Sequence, residues 1–322
     1  MTTMRDVAQH AGVSTATVSR VLNGHAAPTQ ATRTRVLAAI DELGYRPNAL
    51  ARSLRTTSTK TLGLVISDLL NPFFAEIARA VEDEARSHGY CVVIGNADEN
   101  AEQEATYVRT LLDRRVDGLL LCPATDDPSL VREVVAGGVP LVLLDRTVRG
   151  ATCPVVRADG ADALTQLARR LVGAGHTRIG VIAGPADTST GRERLDAFAA
   201  ALGPLLSQDL VVHGDFRQDS GSQAAAVLVE RNATALVAMD NLMGLGALAE
   251  LRRAGLRVPD DVAVAVYDDQ PWFPLVDPPV TVIAQPTVEM GRAAARSLLA
   301  LVNGDQPEDV HLSARLVVRA SC

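Results

Sequence analysis

From Thr61 onward, short apolar runs alternate with amphipathic stretches for most of the chain, and that alternation leaves few folds open. The runs TLGLVIS, YCVVIGN, DGLLLCP, PLVLLDR, RIGVIAG, LVVHGDF, ATALVAM, DVAVAVYDD and VTVIAQP are rich in aliphatic and β-branched residues. Near-continuous apolarity is what a strand covered on both faces requires. Between them, NPFFAEIARAVEDEARSHG, AEQEATYVRTLLDRRV, GADALTQLARRLVGAGH and GLGALAELRRAG place apolar residues three and four apart, as helices with one buried face do. Strand and helix in this rhythm predict parallel sheets with helices on both faces. There are too many runs for one sheet of mononucleotide-binding size, and a break between Arg149 and Gly160 divides them into similar halves. The expected body is therefore two doubly wound lobes with a cleft between them.

Composition agrees with this reading: the 322 residues are 47% hydrophobic and only 3% aromatic, so Ala, Val and Leu must fill the interior. No apolar run approaches the ~20 residues that a membrane helix needs, and the N-terminus lacks the charged-then-apolar pattern of a signal region. A cytoplasmic protein is expected. Cys91, Cys122, Cys153 and Cys322 are widely spaced without a CxxC pair or a nearby His, which reads as buried free thiols rather than a metal site or a disulfide framework.

The net charge of −7 conceals an asymmetry. Residues 1–60 hold eight basic residues (Arg5, Arg20, Arg33, Arg35, Arg46, Arg52, Arg55 and Lys60) against Asp6, Asp41 and Glu42, a net of +5 that leaves −12 on the rest. A basic head on an acidic body is the electrostatic footprint of a polyanion-binding domain. In MRDVAQHAGVSTATVSRVLNG, Val7, Ala8 and Ala11 have helical spacing, Gly12 interrupts it, and Val18, Val21 and Leu22 resume it. That is helix, tight turn, helix, with Ser14 placed to cap the second and Ala8 and Gly12 small enough for a close crossing. A third helix is expected from about Gln30 to Leu43, stopped by Gly44. The outward chemistry of the second helix suits a major groove: Ser14, Thr15, Ala16, Thr17 and Ser19 are short, and Arg20 can donate a fork of hydrogen bonds to a guanine edge.

These residues carry a resemblance. DVAQHAGVSTATVSRVLNG, then TRTRVLAAIDELGYRPNALARSLRT, then TLGLVISDLLNPFFAEI, in that order, are similar to the lactose-repressor (LacI/GalR) family of bacterial transcription regulators. The resemblance implies an all-α helix-turn-helix domain over residues 1–46, a hinge helix and linker over 47–60, and a periplasmic-binding-protein-like effector-binding and dimerisation body over 61–322. Its N-lobe would be about 61–158 plus 287–312 and its C-lobe about 159–286 plus 313–322. It also implies that the short segment from Asn48 to Arg55 folds on DNA, with Leu54 as a wedge entering a central base step from the minor groove, Ala51 allowing close approach and Arg55 near phosphates. A helix that short is marginal alone in water.

In the body, polar residues cluster at the C-terminal ends of the strands, where such sheets bind ligands: Asp68, Asn71, Asp145, Arg146, Asp240, Asp268 and Asp269. Carboxylates can accept hydrogen bonds from hydroxyls, Arg194 can donate several, and Phe73, Phe74, Phe216 or Trp272 can cover an apolar ring face. This is sugar-binding chemistry in outline. The segments LLDR, RERLDAF and YDD, holding Asp145, Arg194 and Asp268, resemble the family's effector-contacting segments; Asp240 reads either as a contact or as a helix cap. Two departures stand out: Met239 where sugar-responsive relatives carry Asn, and Val266 where a Gly commonly stands. No catalytic grouping, metal pattern or cofactor signature is present, so a non-enzyme is expected. The implied partners are a pseudo-palindromic DNA operator, a small effector that is a carbohydrate (a sugar or sugar derivative), and a second copy of the chain. The alternatives are a purine effector or a protein corepressor. The chain lacks a leucine-heptad tail after SARLVVRA, which predicts a dimer rather than a tetramer.

Overall fold

The computed structural model describes residues 2–22, 27–45 and 58–322. The hinge residues Asn48, Ala51, Leu54 and Arg55 lie outside the described residues. The chain divides into two compact units, Met1–Thr59 and Lys60–Cys322.

In the first unit, α1 (Met4–His10), α2 (Thr15–Leu22) and α3 (Gln30–Glu42) surround a small core of Val7, Ala8, Ala11, Val18, Val21, Val36, Ala39 and Tyr45. Each helix begins on a hydroxyl. Thr3 and Asp6 form a reciprocal capping box for α1, the Ser14 hydroxyl accepts from the Thr17 amide at 3.2 Å, and that of Thr29 accepts from the Thr32 amide at 3.3 Å. Gly12 takes a φ of +63°, a left-handed conformation that makes the turn between α1 and α2 cheap.

In the second unit, a first sheet contains β1 (Thr61–Ile66), β2 (Cys91–Asn96), β3 (Gly118–Leu121), β4 (Leu141–Leu144), β5 (Val155–Asp159) and β11 (Val310–Ser313). Its order is β11-β5-β4-β3-β1-β2 and every pair is parallel. A second sheet contains β6 (Ile179–Ala183), β7 (Val211–His213), β8 (Ala235–Ala238), β9 (Ala263–Tyr267), β10 (Thr281–Ala284) and β12 (Arg315–Val317), in the order β12-β10-β9-β8-β6-β7. Only its β12 edge is antiparallel. The stretch 149–160, which sequence rhythm reads as a break, contains β5; five residues with two fully apolar positions are too short to stand out.

Strand alternation sorts the core. Leu62, Leu64 and Ile66 of β1 face α4 (Pro72–Ser87) and α11 (Thr287–Val302), while Val65 faces the other way, toward Val108 and Leu111 of α5 (Ala101–Asp113) and Val131 and Val134 of α6 (Ser129–Ala136). In the second lobe, α7 (Ala161–Gly173) and α8 (Ser189–Leu202) cover one face, and α9 (Gln218–Glu230) and α10 (Asn241–Arg253) the other. The chain crosses between lobes three times: at Gly160 between β5 and α7, at Gln285 and Pro286 between β10 and α11, and at Ala314 between β11 and β12. Of the cysteines, only Cys122 is buried; Cys91 lies on the edge strand β2 and is exposed, and Cys153 and Cys322 are half-buried.

Candidate functional site

In the body, the loops that follow the strands of the two sheets meet. Asn71, Phe73, Phe74, Glu99, Asp145 and Arg146 from the first lobe face Thr190, Arg194, Phe216, Asp240 and Asp268 from the second around a cavity of about 10 Å³. Its walls are charged and almost fully buried. Arg146, whose side chain is 4% exposed, donates to both oxygens of Glu99 at 2.7 Å and to the Pro123 carbonyl at 3.1 Å, and its guanidinium lies 5.0 Å from the centre of the Phe216 ring. Its Nε has no hydrogen-bond partner and stands 4.0 Å from an Asp145 oxygen. Arg194 donates to the Met239 carbonyl at 2.8 Å, stands 3.6 Å from Asp268 and 3.9 Å from Asp145, and lies 3.9 Å over the Tyr267 ring.

Burial governs the ionisation of these groups. Loss of water raises the Asp240 carboxyl to about 7, against a hydrogen bond from the Met243 amide that lowers it and the like charge of Asp268 that raises it further. Asp268 rises to about 6 for the same first reason, opposed by Arg194 and by the Gln285 amide, which donates to it at 2.6 Å. Asp145 is also raised by burial and pulled back by Arg194 and Arg146.

Direct bonds join the lobes on either side of the cavity. Arg217, the residue before α9, donates to Asp68 at 3.0 Å and to the Asp98 carboxylate at 2.7 Å, and Asn71 and Asn241 exchange amide hydrogen bonds at 2.8 and 3.0 Å. Elsewhere Asp126 pairs with Arg192 at 2.8 Å, its amide donates to the Asp187 carbonyl, and the Thr147 amide donates to the Ser189 hydroxyl. Backbone conformation concentrates here too. Of the eight non-glycine residues with positive φ among the described residues, Glu99, Asp145, Phe216 and Asp268 line the cavity and Asp98 holds Arg217.

With this geometry in place, two family models divide the chain: residues 3–48 match the bacterial regulatory proteins of the lacI family, and residues 59–320 match the periplasmic binding proteins and sugar binding domain of the LacI family. The chain belongs to the LacI family. Among relatives, it is 33% identical over 329 residues to the HTH-type transcriptional repressor PurR of Photobacterium profundum, covering 100% of this chain and 98% of that one. Among solved structures, the transcriptional regulator CelR-cellobiose complex is similar over 100% of both chains at 36% identity and a TM-score of 0.76. The lac repressor dimer bound to operator and the anti-inducer ONPF matches 99% of this chain and 98% of that one, with 30% identity and a TM-score of 0.88. The molecule is thus a DNA-binding transcriptional repressor with an effector-binding body, and not an enzyme.

In this LacI-family chain, most of the residues expected to meet an effector do converge. Phe73, Phe74, Asp145, Arg194, Phe216, Asp240 and Asp268 all line the cavity. Asp240 does both things considered for it, capping α10 through the Met243 amide at 2.9 Å and facing the cavity. Trp272 is a correction: it is not on the cavity wall but packs on the α9–α10 side of the second lobe, edge-on to the fully buried Phe273. Asp268 has φ of 73° and Asp269 is held by Arg319 at 2.6 Å, so the loop turns away from the cleft before it reaches Trp272. Met239, where an Asn was missing, contributes through its carbonyl, and Val266 packs in the core. Glu99, Arg146, Asn71 and Thr190 complete the wall: Arg146 and Asn71 follow β4 and β1, where strand ends point to them, Glu99 lies three residues beyond β2, and Thr190 sits in the first turn of α8.

On the head, Ser14, Thr15, Ala16 and Arg20 are exposed and Thr17 half-buried, a short-chained surface with one long donor. Ser19 differs from these neighbours: its side chain is buried, at 8% exposure. On a helical wheel it falls between Thr15 and Ala16, one turn further along α2. Among the described residues, no helix is long and apolar enough to cross a membrane, and no group of His, Cys, Asp or Glu is arranged to hold a metal ion.

Proposed function

We propose that the repressor's effector is a neutral, hydroxyl-rich molecule, a sugar or sugar derivative, held between the lobes by Asp145, Arg194, Asp240 and Asp268, with Phe73, Phe74 and Phe216 against its ring face. The observation that carries this is the charge balance of the cavity wall. Glu99, Asp145, Asp240 and Asp268 face only Arg146 and Arg194, and each arginine already has a carboxylate partner. An excess of carboxylate accepts hydroxyl donors and repels a phosphate or a carboxylic acid. A second reading, a purine, is favoured by the three phenyl rings from two lobes and accords with the PurR relative.

A cavity of about 10 Å³ holds one water at most, so an effector enters only as the lobes part. Parting them means breaking the Arg217, Asn71–Asn241 and Asp126–Arg192 contacts, and a ligand that binds one arrangement better shifts the equilibrium between the two. Such a shift would act on DNA through the hinge, with Asn48, Ala51, Leu54 and Arg55 on the minor groove while Ser14, Thr15, Ala16, Thr17 and Arg20, at the start of α2 and along it, meet the major groove. Two copies on a pseudo-palindromic operator, in the cytoplasm at the nucleoid, complete the reading.

The test is calorimetry of the full chain against neutral sugars, their phosphates and purine bases, with operator affinity measured by fluorescence anisotropy with and without each. Binding of a neutral sugar that shifts operator affinity supports the proposal. Binding of a sugar phosphate in preference to the free sugar refutes it, and binding of a purine base alone selects the second reading.

A further inference from the structure

We propose that the body carries a second small-molecule site, on the crossover side of the chamber, for a neutral ligand with several hydroxyls. It goes beyond the effector reading and needs no ligand in the chamber. A pocket of about 340 Å³ opens there between the lobes, within the range of about 300–1,000 Å³ usual for small-molecule sites. Arg157, Asp159 and His311, from β5 and β11, line it on one side, and Glu193, Tyr267 and Gln285 on the other. Leu164 and Ala197, one residue each from α7 and α8, give it an apolar floor.

The polar groups are arranged for hydroxyls rather than anions. Both terminal nitrogens of Arg157 are taken by Glu193, so its charge is already met, while its Nε is buried without a partner. Asp159 spends one oxygen on the Ala161 amide at 2.9 Å. Asp145, Asp159 and Glu193 outnumber Arg157 and Arg194, which disfavours an anion and offers acceptors to hydroxyl donors. Gly160, the first crossover, is what brings the Tyr267 hydroxyl to this wall: a Cβ at 160 would lie 2.1 Å from it. Arg194, Asp145 and Thr190 line both this pocket and the chamber, so they are the partition between the two. A ligand on either side of a shared partition changes the affinity on the other, reciprocally.

Equilibrium dialysis of the full chain with labelled D-ribose, D-glucose and cellobiose tests the site. The variants are Ala197→Trp, which fills the pocket floor, and Asp268→Asn, which neutralises a carboxylate that lines the chamber and not the pocket. The expected result is saturable binding of at least one sugar that Ala197→Trp abolishes and Asp268→Asn spares, or two equivalents per protomer of which Ala197→Trp removes one. If Ala197→Trp fails to fold by circular dichroism, Glu193→Gln replaces it, with an expected loss of at least tenfold in affinity for that class of site. A single equivalent that Asp268→Asn abolishes and the pocket variants spare overturns this site and leaves the chamber reading standing. Saturable binding to none of the three sugars overturns this site as well.

Discussion

Replacing Asp240 by Asn should stabilise the second lobe, and more so at high pH than at low. Asp240 is 4% exposed, and burial lifts its carboxyl from an ordinary 3.8 to about 7. A carboxyl whose folded pKa is raised contributes stability that is fully present below the unfolded pKa, near 4, and lost as pH rises through the folded value, near 7. At about 1.4 kcal/mol per pH unit, the loss is on the order of 4 kcal/mol at pH 8 but only about 1.6 kcal/mol at pH 5, where the folded group is still mostly protonated. Asn cannot ionise, yet it caps a helix as well as Asp, so the bond to the Met243 amide survives the change. Asp240→Asn should therefore gain roughly 2–3 kcal/mol more at pH 8 than at pH 5 relative to the parent. The chain has one tryptophan, Trp272, and it packs in the same lobe, so its fluorescence in urea titrations at the two pH values reports on the right unit. A gain that is equal at both pH values, or that shrinks as pH rises, would show that Asp240 is not held neutral by burial.

Four further expectations follow from the same contacts. Glu99→Ala strands the buried Arg146 guanidinium and should cost the body about 3–5 kcal/mol in chemical denaturation, with Glu99→Gln costing less because it keeps one acceptor. Arg217→Ala removes the bonds to Asp68 and Asp98 and should open the lobes, visible as an increased radius of gyration in X-ray scattering; an unchanged profile would mean that the remaining lobe contacts suffice. Leu54→Ala should abolish most operator affinity in gel-shift titrations while effector binding and the thermal transition of the body stay as in the parent. Arg20→Ala should weaken operator binding by about 1–3 kcal/mol per half-site and relax base preference at one position in a binding-site selection.

Much of this molecule is legible in its sequence because the signals are local and repeated. Strand runs bounded by Asp or Asn, and helices with Val, Leu and Ala three and four apart, specify two parallel sheets. The rule that ligands meet the C-terminal ends of parallel strands then picks out Asp145, Asp240 and Asp268. What escapes is set by distant contacts. Glu99 lies three residues beyond β2 and gains its place only because Arg146, 47 positions later, comes back to meet it. Ser19 has an outward wheel position and a buried side chain, since a wheel describes a helix and not what is laid over it. Trp272 follows a loop turned by a left-handed Asp268, a conformation that Asp tolerates more readily than most residues but does not require.

Asp98, Glu99, Asp145, Phe216 and Asp268 all hold positive φ without being glycine, a conformation that costs of order 1 kcal/mol each and persists only where surroundings over-determine it. The surroundings here are the ion pairs themselves: Arg217 on Asp98, Arg146 on Glu99 and Phe216, Arg194 near Asp145 and Asp268. All three sets reach across the cleft, since Phe216, Arg217 and Arg194 belong to the second lobe and their partners Arg146, Asp98 and Asp145 to the first. Opening the cleft therefore removes support from strained loops on both sides at once. A ligand whose hydroxyls replace those contacts restores the support, and one that fills the space without replacing them does not. For an effector seated in the chamber as proposed, discrimination would rest on hydrogen-bond replacement at Asp145, Arg194 and Asp268 more than on fit to the three phenyl rings.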